Sequence, residues 1–398
     1  MLNITDLKAE QRKVPLFRLA FRPFFLFGCL FSIFSLIIWG SFLSNPAINM
    51  QPYGGWFWWH GHEMLFGFVC SIIVGFLLTA VQNWSGLPGI SGWPLAGLFA
   101  LWATGRLLMI TPVLPPIVIA VVDSLFLPAA AAVLAHPVIT TKLWRNLVFV
   151  PLLLLLALVN ATTHYQLING SNFSLPWTQS AILIIALIMS VLGGRVIPFF
   201  TANATRTEKP QPLVWLEVLA IGSVVIPLFY SLGSGDIGTN KLVGGCFILA
   251  TVSHTLRFAR WQCWLTLNNP LLWSLHLAYL FIIVGFALLA SYHLGFNITL
   301  TTALHGITVG GMGLLILSMI SRVSLGHTGR MLIVSQWIVG AYVALAIAAV
   351  VRLVAPLATG YTTHMYLLSI AAWVAGYLIY AVVYWPVLTQ PRLDGRPG

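Results

Sequence analysis

A chain of 398 residues that is 59% hydrophobic and only 7% charged does not fold as a water-soluble domain, because soluble chains carry about 25% charge. A mean hydropathy of +0.94 marks a polytopic membrane protein, and crossings of about 20 apolar residues with short loops leave no room for a large extramembrane domain. The formal charge of +11 is then a topology signal and not the mark of a nucleic-acid partner, since Lys and Arg gather beside the helix ends that stay in the cytoplasm.

Apolar runs bounded by Gly, Pro, Asn and charge predict twelve spans in chain order, near residues 24–43, 62–81, 93–111, 113–135, 146–164, 177–200, 213–232, 241–257, 272–291, 300–320, 333–354 and 364–386. The third and fourth abut, so a tight turn at Thr111 and Pro112 joins them. With the amino terminus inside, 16 of the 19 basic residues fall on the cytoplasmic side, Lys8 and Arg396 among them, and only Arg106, Lys241 and Arg352 lie on or toward the outer side. Both termini are expected in the cytoplasm. The run after Arg22 is a full span and not a signal peptide. The expectation is an all-α polytopic membrane protein with one integral domain over 1–398, a basic segment 1–22 and a short tail 387–398. The two halves share helix count but no visible repeat, which weighs against many transporter folds. Cys29, Cys70, Cys246 and Cys263 show no CxxC spacing, so neither a disulfide framework nor a thiolate zinc site is indicated.

The ten histidines carry the chemistry. Topology sorts them into an outer layer of His60, His62, His164, His293, His305 and His364 and an inner layer of His136, His254, His276 and His327. The densest cluster, Trp56-Phe57-Trp58-Trp59-His60-Gly61-His62-Glu63-Met64, enters the second span. Residues two apart on a helix point about 200° from each other, so His60 and His62 share a site only if the helix begins near His62 and His60 stays extended. Glu63 is placed to accept a hydrogen bond from a ligand imidazole and fix its tautomer. An aromatic interfacial belt is the bland alternative for the tryptophans.

His305 opens the tenth span ahead of Gly306, Gly310 and Gly313, a face that suits either close helix packing or a planar cofactor. On the inner side, Trp273, His276 and Tyr279 share a face, and Arg322-Val323-Ser324-Leu325-Gly326-His327-Thr328-Gly329-Arg330 sets a histidine between two arginines. That is the pairing a buried haem uses, with imidazole on iron and guanidinium on propionate. Arg195 joins this layer. Arg106 and Asp123, on adjacent spans, are expected to form an ion pair, with a proton relay through Asp123 as the alternative.

The segments Phe21-Arg22-Pro23-Phe24-Phe25, Trp59-His60-Gly61-His62-Glu63-Met64, Gly194-Arg195-Val196-Ile197-Pro198-Phe199-Phe200-Thr201, Trp273-Ser274-Leu275-His276-Leu277-Ala278-Tyr279, His305-Gly306-Ile307-Thr308-Val309-Gly310 and Arg322 to Arg330, in this order, resemble the NnrS family of bacterial membrane proteins. The resemblance implies a twelve-helix protein of the bacterial cytoplasmic membrane that contains haem, expected to be b-type, and copper. It further implies nitric oxide or metal-nitrosyl species as partners, in nitrosative-stress tolerance and denitrification. On that basis His60, His62 and His305 are the candidate outer metal ligands and His276 and His327 the inner pair. Trp59, Glu63, Arg195, Tyr279, Arg322 and Arg330 are the candidate cofactor contacts. Imidazole suits iron and copper alike, so residue type does not assign the metals. Two other readings accommodate twelve spans: a secondary transporter without redox metal, and an oxidase-like enzyme or nitric oxide reductase. The oxidase reading ranks last because the sequence has no adjacent His-His pair.

Overall fold

The computed structural model describes residues 12–170, 175–234 and 238–394. Lys8, Arg396 and the first eleven residues of the basic segment 1–22 therefore lie outside the described residues, as do the last four residues of the tail. Among the described residues there is helix and no strand, as membrane spans require when no water is at hand to satisfy backbone groups.

Twelve helices are long and apolar enough to cross a bilayer: α1 Phe21–Ser44, α2 Trp56–Ser85, α3 Trp93–Ile110, α4 Pro116–Thr140, α5 Trp144–Ile168, α6 Trp177–Thr205, α7 Val214–Ser234, α8 Lys241–Ala259, α9 Pro270–His293, α10 Leu300–His327, α11 Gln336–Leu357 and α12 Thr362–Thr389. Each coincides with one expected span. Residues 111–115 connect α3 to α4, longer than the tight turn expected there, because Pro115 and Pro116 hold the chain extended before α4 can begin.

The chain forms two compact units. One comprises Met1–Ser174, Val323–Leu332 and Tyr380–Gly398, the other Leu175–Arg322 and Ile333–Ile379. In the first, α2 packs against α1 and α4, and α4 against α5. In the second, α9 is flanked by α8 and by the first half of α10.

Helices α2 and α10 are the most buried of the twelve, and each is interrupted by a stretch of π-helix, Glu63–Val69 in α2 and Gly306–Gly313 in α10. A π turn inserts an extra residue per turn and shifts the hydrogen-bond ladder to i→i+5, a distortion concentrated at functional sites. In α2 the Cys70 N–H donates to Leu65 O, five residues back. Neighbouring side chains satisfy carbonyls that the distorted ladder leaves over. Trp102 Nε1 donates to Gly67 O at 2.9 Å in the first unit, and Tyr377 OH donates to Gly313 O at 2.8 Å in the second.

The glycines of α10 are occupied by protein. A Cβ on Gly306 would meet Gly285 of α9, one on Gly310 the Phe281 ring, and one on Gly313 Trp373 of α12. The glycine stripe is therefore a helix-packing face, and the alternative of a planar cofactor lying against it is not borne out.

Candidate metal centre

Helix α2 begins at Trp56, not near His62, so His60 and His62 are both helical and diverge. His60 lies flat on Trp39 of α1, ring centroids 4.4 Å apart, while His62 lies flat on Trp58 at 4.5 Å. The sequence condition for a shared site is not met, for the helical reason that residues two apart point to different sides. Trp59 is fully buried with its ring edge-on to Trp56, its indole N–H without an acceptor.

Beyond its neighbour Glu63, the polar groups that His62 meets come from α4 and α5. Its Nδ1 lies 2.8 Å from Glu63 Oε1, its Nε2 2.7 Å from Asn160 Oδ1 and 3.2 Å from Asp123 Oδ2. Asn160 Nδ2 donates to Asp123 Oδ2 at 2.7 Å, and His164 Nε2 reaches the same oxygen at 3.1 Å. Asn160 and His164 are one turn apart on α5 and so present both groups to Asp123 of α4. Arg106 of α3 bridges the two acids, donating through Nη1 to Glu63 Oε1 at 2.5 Å and through Nη2 to Asp123 Oδ1. The expected Arg106–Asp123 ion pair is thus present, widened to include Glu63. Two glycines permit it: a Cβ on Gly67 would meet Arg106 Nη1, and one on Gly105 would press on Asp123 Oδ1.

All six side chains are buried, so their charges must balance internally. Both nitrogens of His62 face oxygen atoms, an arrangement that suits its doubly protonated form. With His62 as imidazolium and Arg106 as guanidinium set against Glu63 and Asp123, the cluster is neutral. Tyr53, in the loop before α2, closes the far side: its hydroxyl lies 3.3 Å from His164 Nδ1, and burial pushes the phenol up to about 12, which keeps it a neutral donor or acceptor. Glu63 Oε2 is buried without a donor.

Among the described residues, His62, Asp123 and His164 are the metal-ligating side chains whose donor atoms converge to within 4.8 Å. Two imidazoles and one carboxylate form a set that fits copper, iron or zinc. His164 and Asn160 are the members that sequence reasoning passed over. The available signal was their i, i+4 spacing directly after the apolar run 149–159 of α5.

The remaining candidates are distributed. In the second unit, His305 Nδ1 lies 2.7 Å from Thr301 O, and His276 Nε2 lies 3.0 Å from Thr201 Oγ1, with its Nδ1 buried and unpartnered. Arg322 lies over the ring of Phe200, 3.9 Å from its centroid, and Phe200 is next in sequence to Thr201. Arg195 is half-buried on the same helix, α6. Tyr279 donates its hydroxyl proton to His254 Nδ1 at 2.6 Å and accepts from Arg257 Nη1 at 2.7 Å. Arg257 is in turn chelated by Glu217, and His254 Nε2 donates to Ala220 O. Both nitrogens of His254 are committed, so this group is a hydrogen-bonded brace. His327 belongs to the first unit, where its ring leans on Phe21 at 5.7 Å and its carbonyl accepts from Arg392. Arg330, beyond the end of α10, has its Nη1 buried without a partner, and burial lowers its pKa.

A comparison with curated proteins finds no match. A family model does: residues 15–392 match the one described as NnrS protein, nearly the whole length, from the arginine-bearing start of α1 through the histidine cluster of α2 to the end of α12. The chain belongs to the NnrS family.

Proposed function

We propose that this membrane protein binds copper and haem at the bacterial cytoplasmic membrane, both termini inside, and acts on nitric oxide or metal-nitrosyl species in nitrosative-stress tolerance. The observation that carries the reading is the convergence of His62, Asp123 and His164 within 4.8 Å in a buried part of the first unit.

Copper bound there supplies a redox centre able to take a small neutral ligand. The chain's own residues prepare the place. Glu63 holds Nδ1–H of His62 and so aims Nε2 at the site, and the Tyr53 hydroxyl, able to accept as well as donate, does the same for His164. Loss of the Nε2 proton of His62 would free that nitrogen for monovalent copper, whose single charge would take the place of the proton's and keep the balance that Arg106 and the two carboxylates set. The apolar helices around the cluster admit a neutral diatomic and disfavour charged competitors.

For haem, His276 is the side chain that fits a ligand. It is buried, one nitrogen is held by Thr201, and the other has no protein partner. Arg322, resting on Phe200 beside Thr201, is the cation for a propionate.

Metal analysis and an absorption spectrum of detergent-purified protein test this directly. The expected result is copper that disappears in His62→Ala and His164→Ala but persists in His60→Ala, with a Soret band lost in His276→Ala. Folded wild type with neither copper nor haem would refute the reading and leave the His62 cluster as a structural network.

A further inference from the structure

Of the three cations expected on the outer side, Arg106 is accounted for by Glu63 and Asp123, and Lys241 begins a helix. Arg352 of α11 is not accounted for. Its guanidinium lies over the Tyr366 ring, 4.2 Å from the centroid, and its Nη2 is 3.3 Å from His305 Nδ1. That nitrogen also sits 2.7 Å from Thr301 O. A carbonyl only accepts, so Nδ1 carries the hydrogen and faces Arg352 as a second donor. The other arm, Nη1, is buried with no partner. Neither end of the fork has an anion to hold.

Among the described residues no carboxylate pairs with Arg352. Glu217 is taken by Arg257, Asp236 lies outside the described residues, and the phenol of Tyr366 brings no full charge. A guanidinium withdrawn from water without a counter-charge is costly, and the buried Arg106 and Arg257 each have one. Chain topology puts the three residues at one membrane edge: Arg352 is in the last turns of α11, while His305 and Tyr366 are in the first turns of α10 and α12. All three are half-buried, so the cluster borders the surface of the unit, with the face of the fork covered by the phenol ring and Nη1 itself buried.

We propose that Arg352, positioned by Tyr366 and His305, is a binding site for one small planar oxyanion, a free carboxylate or an inorganic anion of the same Y shape. A planar two-oxygen group matches the guanidinium fork with two parallel hydrogen bonds, which a spherical ion cannot do. Stacking on Tyr366 leaves Nη1 without an acceptor, and a single cation sets the ligand's charge at one. The site is independent of the copper and haem reading, since it uses neither His62 nor His276.

Calorimetric titration of the detergent-purified protein with sodium nitrate and with sodium acetate, against sodium chloride at equal ionic strength, tests it. Wild type should show saturable binding of nitrate and acetate and at least tenfold weaker binding of chloride. Arg352→Gln should weaken both oxyanions at least tenfold. Arg352→Lys keeps the charge without the fork and should bring nitrate and chloride to within about threefold of each other. Tyr366→Leu, which leaves every charge in place, should weaken nitrate severalfold. No saturable binding to wild type, or binding unchanged in Arg352→Gln, would overturn the proposal, as would a nitrate preference retained in Arg352→Lys.

Discussion

The π segments of α2 and α10 are built alike and differ in the residue that comes after the histidine. Each begins directly after a histidine, His62 or His305, and each has a carbonyl capped by an aromatic donor from another helix. Each also has an arginine from a different helix near that histidine. In α2 the next residue is Glu63, and it binds both the histidine and the arginine. In α10 it is Gly306, which has no side chain to offer and lies against Gly285. One segment thus carries its anion in the sequence and forms a closed, neutral cluster. The other spends the same position on close helix packing and leaves its arginine for a ligand.

The sharpest way to break this comparison is to remove the anion from the first segment. Glu63→Gln leaves His62 and Arg106 as two buried cations facing Asp123 alone. Loss of one partner from a buried ion pair costs about 3–5 kcal/mol, and the unfolding free energy in mixed micelles should fall by that order. Adding Arg106→Gln should recover part of the loss, because it removes the charge left uncompensated, and a double-mutant cycle reads the coupling. A Glu63→Gln protein as stable as wild type would show that the cluster is not held by charge.

Next come the glycines that allow each segment its approach. Gly67→Ala drives a methyl into Phe31 and Arg106, and Gly310→Ala drives one into Phe281. Overpacking of this kind costs about 1–3 kcal/mol, so both should lower the melting temperature. They should differ in what they disturb: Gly67→Ala displaces Arg106 and should also lower copper content, whereas Gly310→Ala should leave copper intact. Phe281→Leu is expected to relieve Gly310→Ala but not Gly67→Ala.

The spans were legible because a bilayer demands long apolar runs, and twelve such runs stand out whatever the helices do inside. The Arg106–Asp123 pair was legible for a similar reason, as two charges on adjacent spans have few other partners at that depth. Glu63 as the group that orients an imidazole could be read from its place beside His62. The divergence of His60 and His62 could not, because it depends on where α2 begins, six residues before His62 and inside the tryptophan cluster. The part played by His164 depends on how α5 is rotated against α4, and hydropathy reports length and depth far better than rotation. The π segments were invisible because they are a property of the backbone ladder, and the residues in them, largely apolar or Gly, read as ordinary span.

The smallest expected effect falls on the two capping donors. Trp102→Phe removes the donor to Gly67 O, and Tyr377→Phe the donor to Gly313 O. Side-chain hydrogen bonds between membrane helices average about 0.6 kcal/mol, and a buried carbonyl left without its partner raises that toward about 1–2 kcal/mol. The two substitutions are matched in chemistry but not in setting. Gly67 lies beneath Arg106, so relaxing the ladder there moves the residue against which the guanidinium rests, and Trp102→Phe should lower both stability and copper content. Gly313 lies a full π segment away from His305, against Trp373. Tyr377→Phe should therefore cost a similar amount of stability while leaving nitrate binding at Arg352 within about twofold of wild type. Loss of anion binding in Tyr377→Phe would mean that the π segment of α10, and not the Arg352 fork, sets the site.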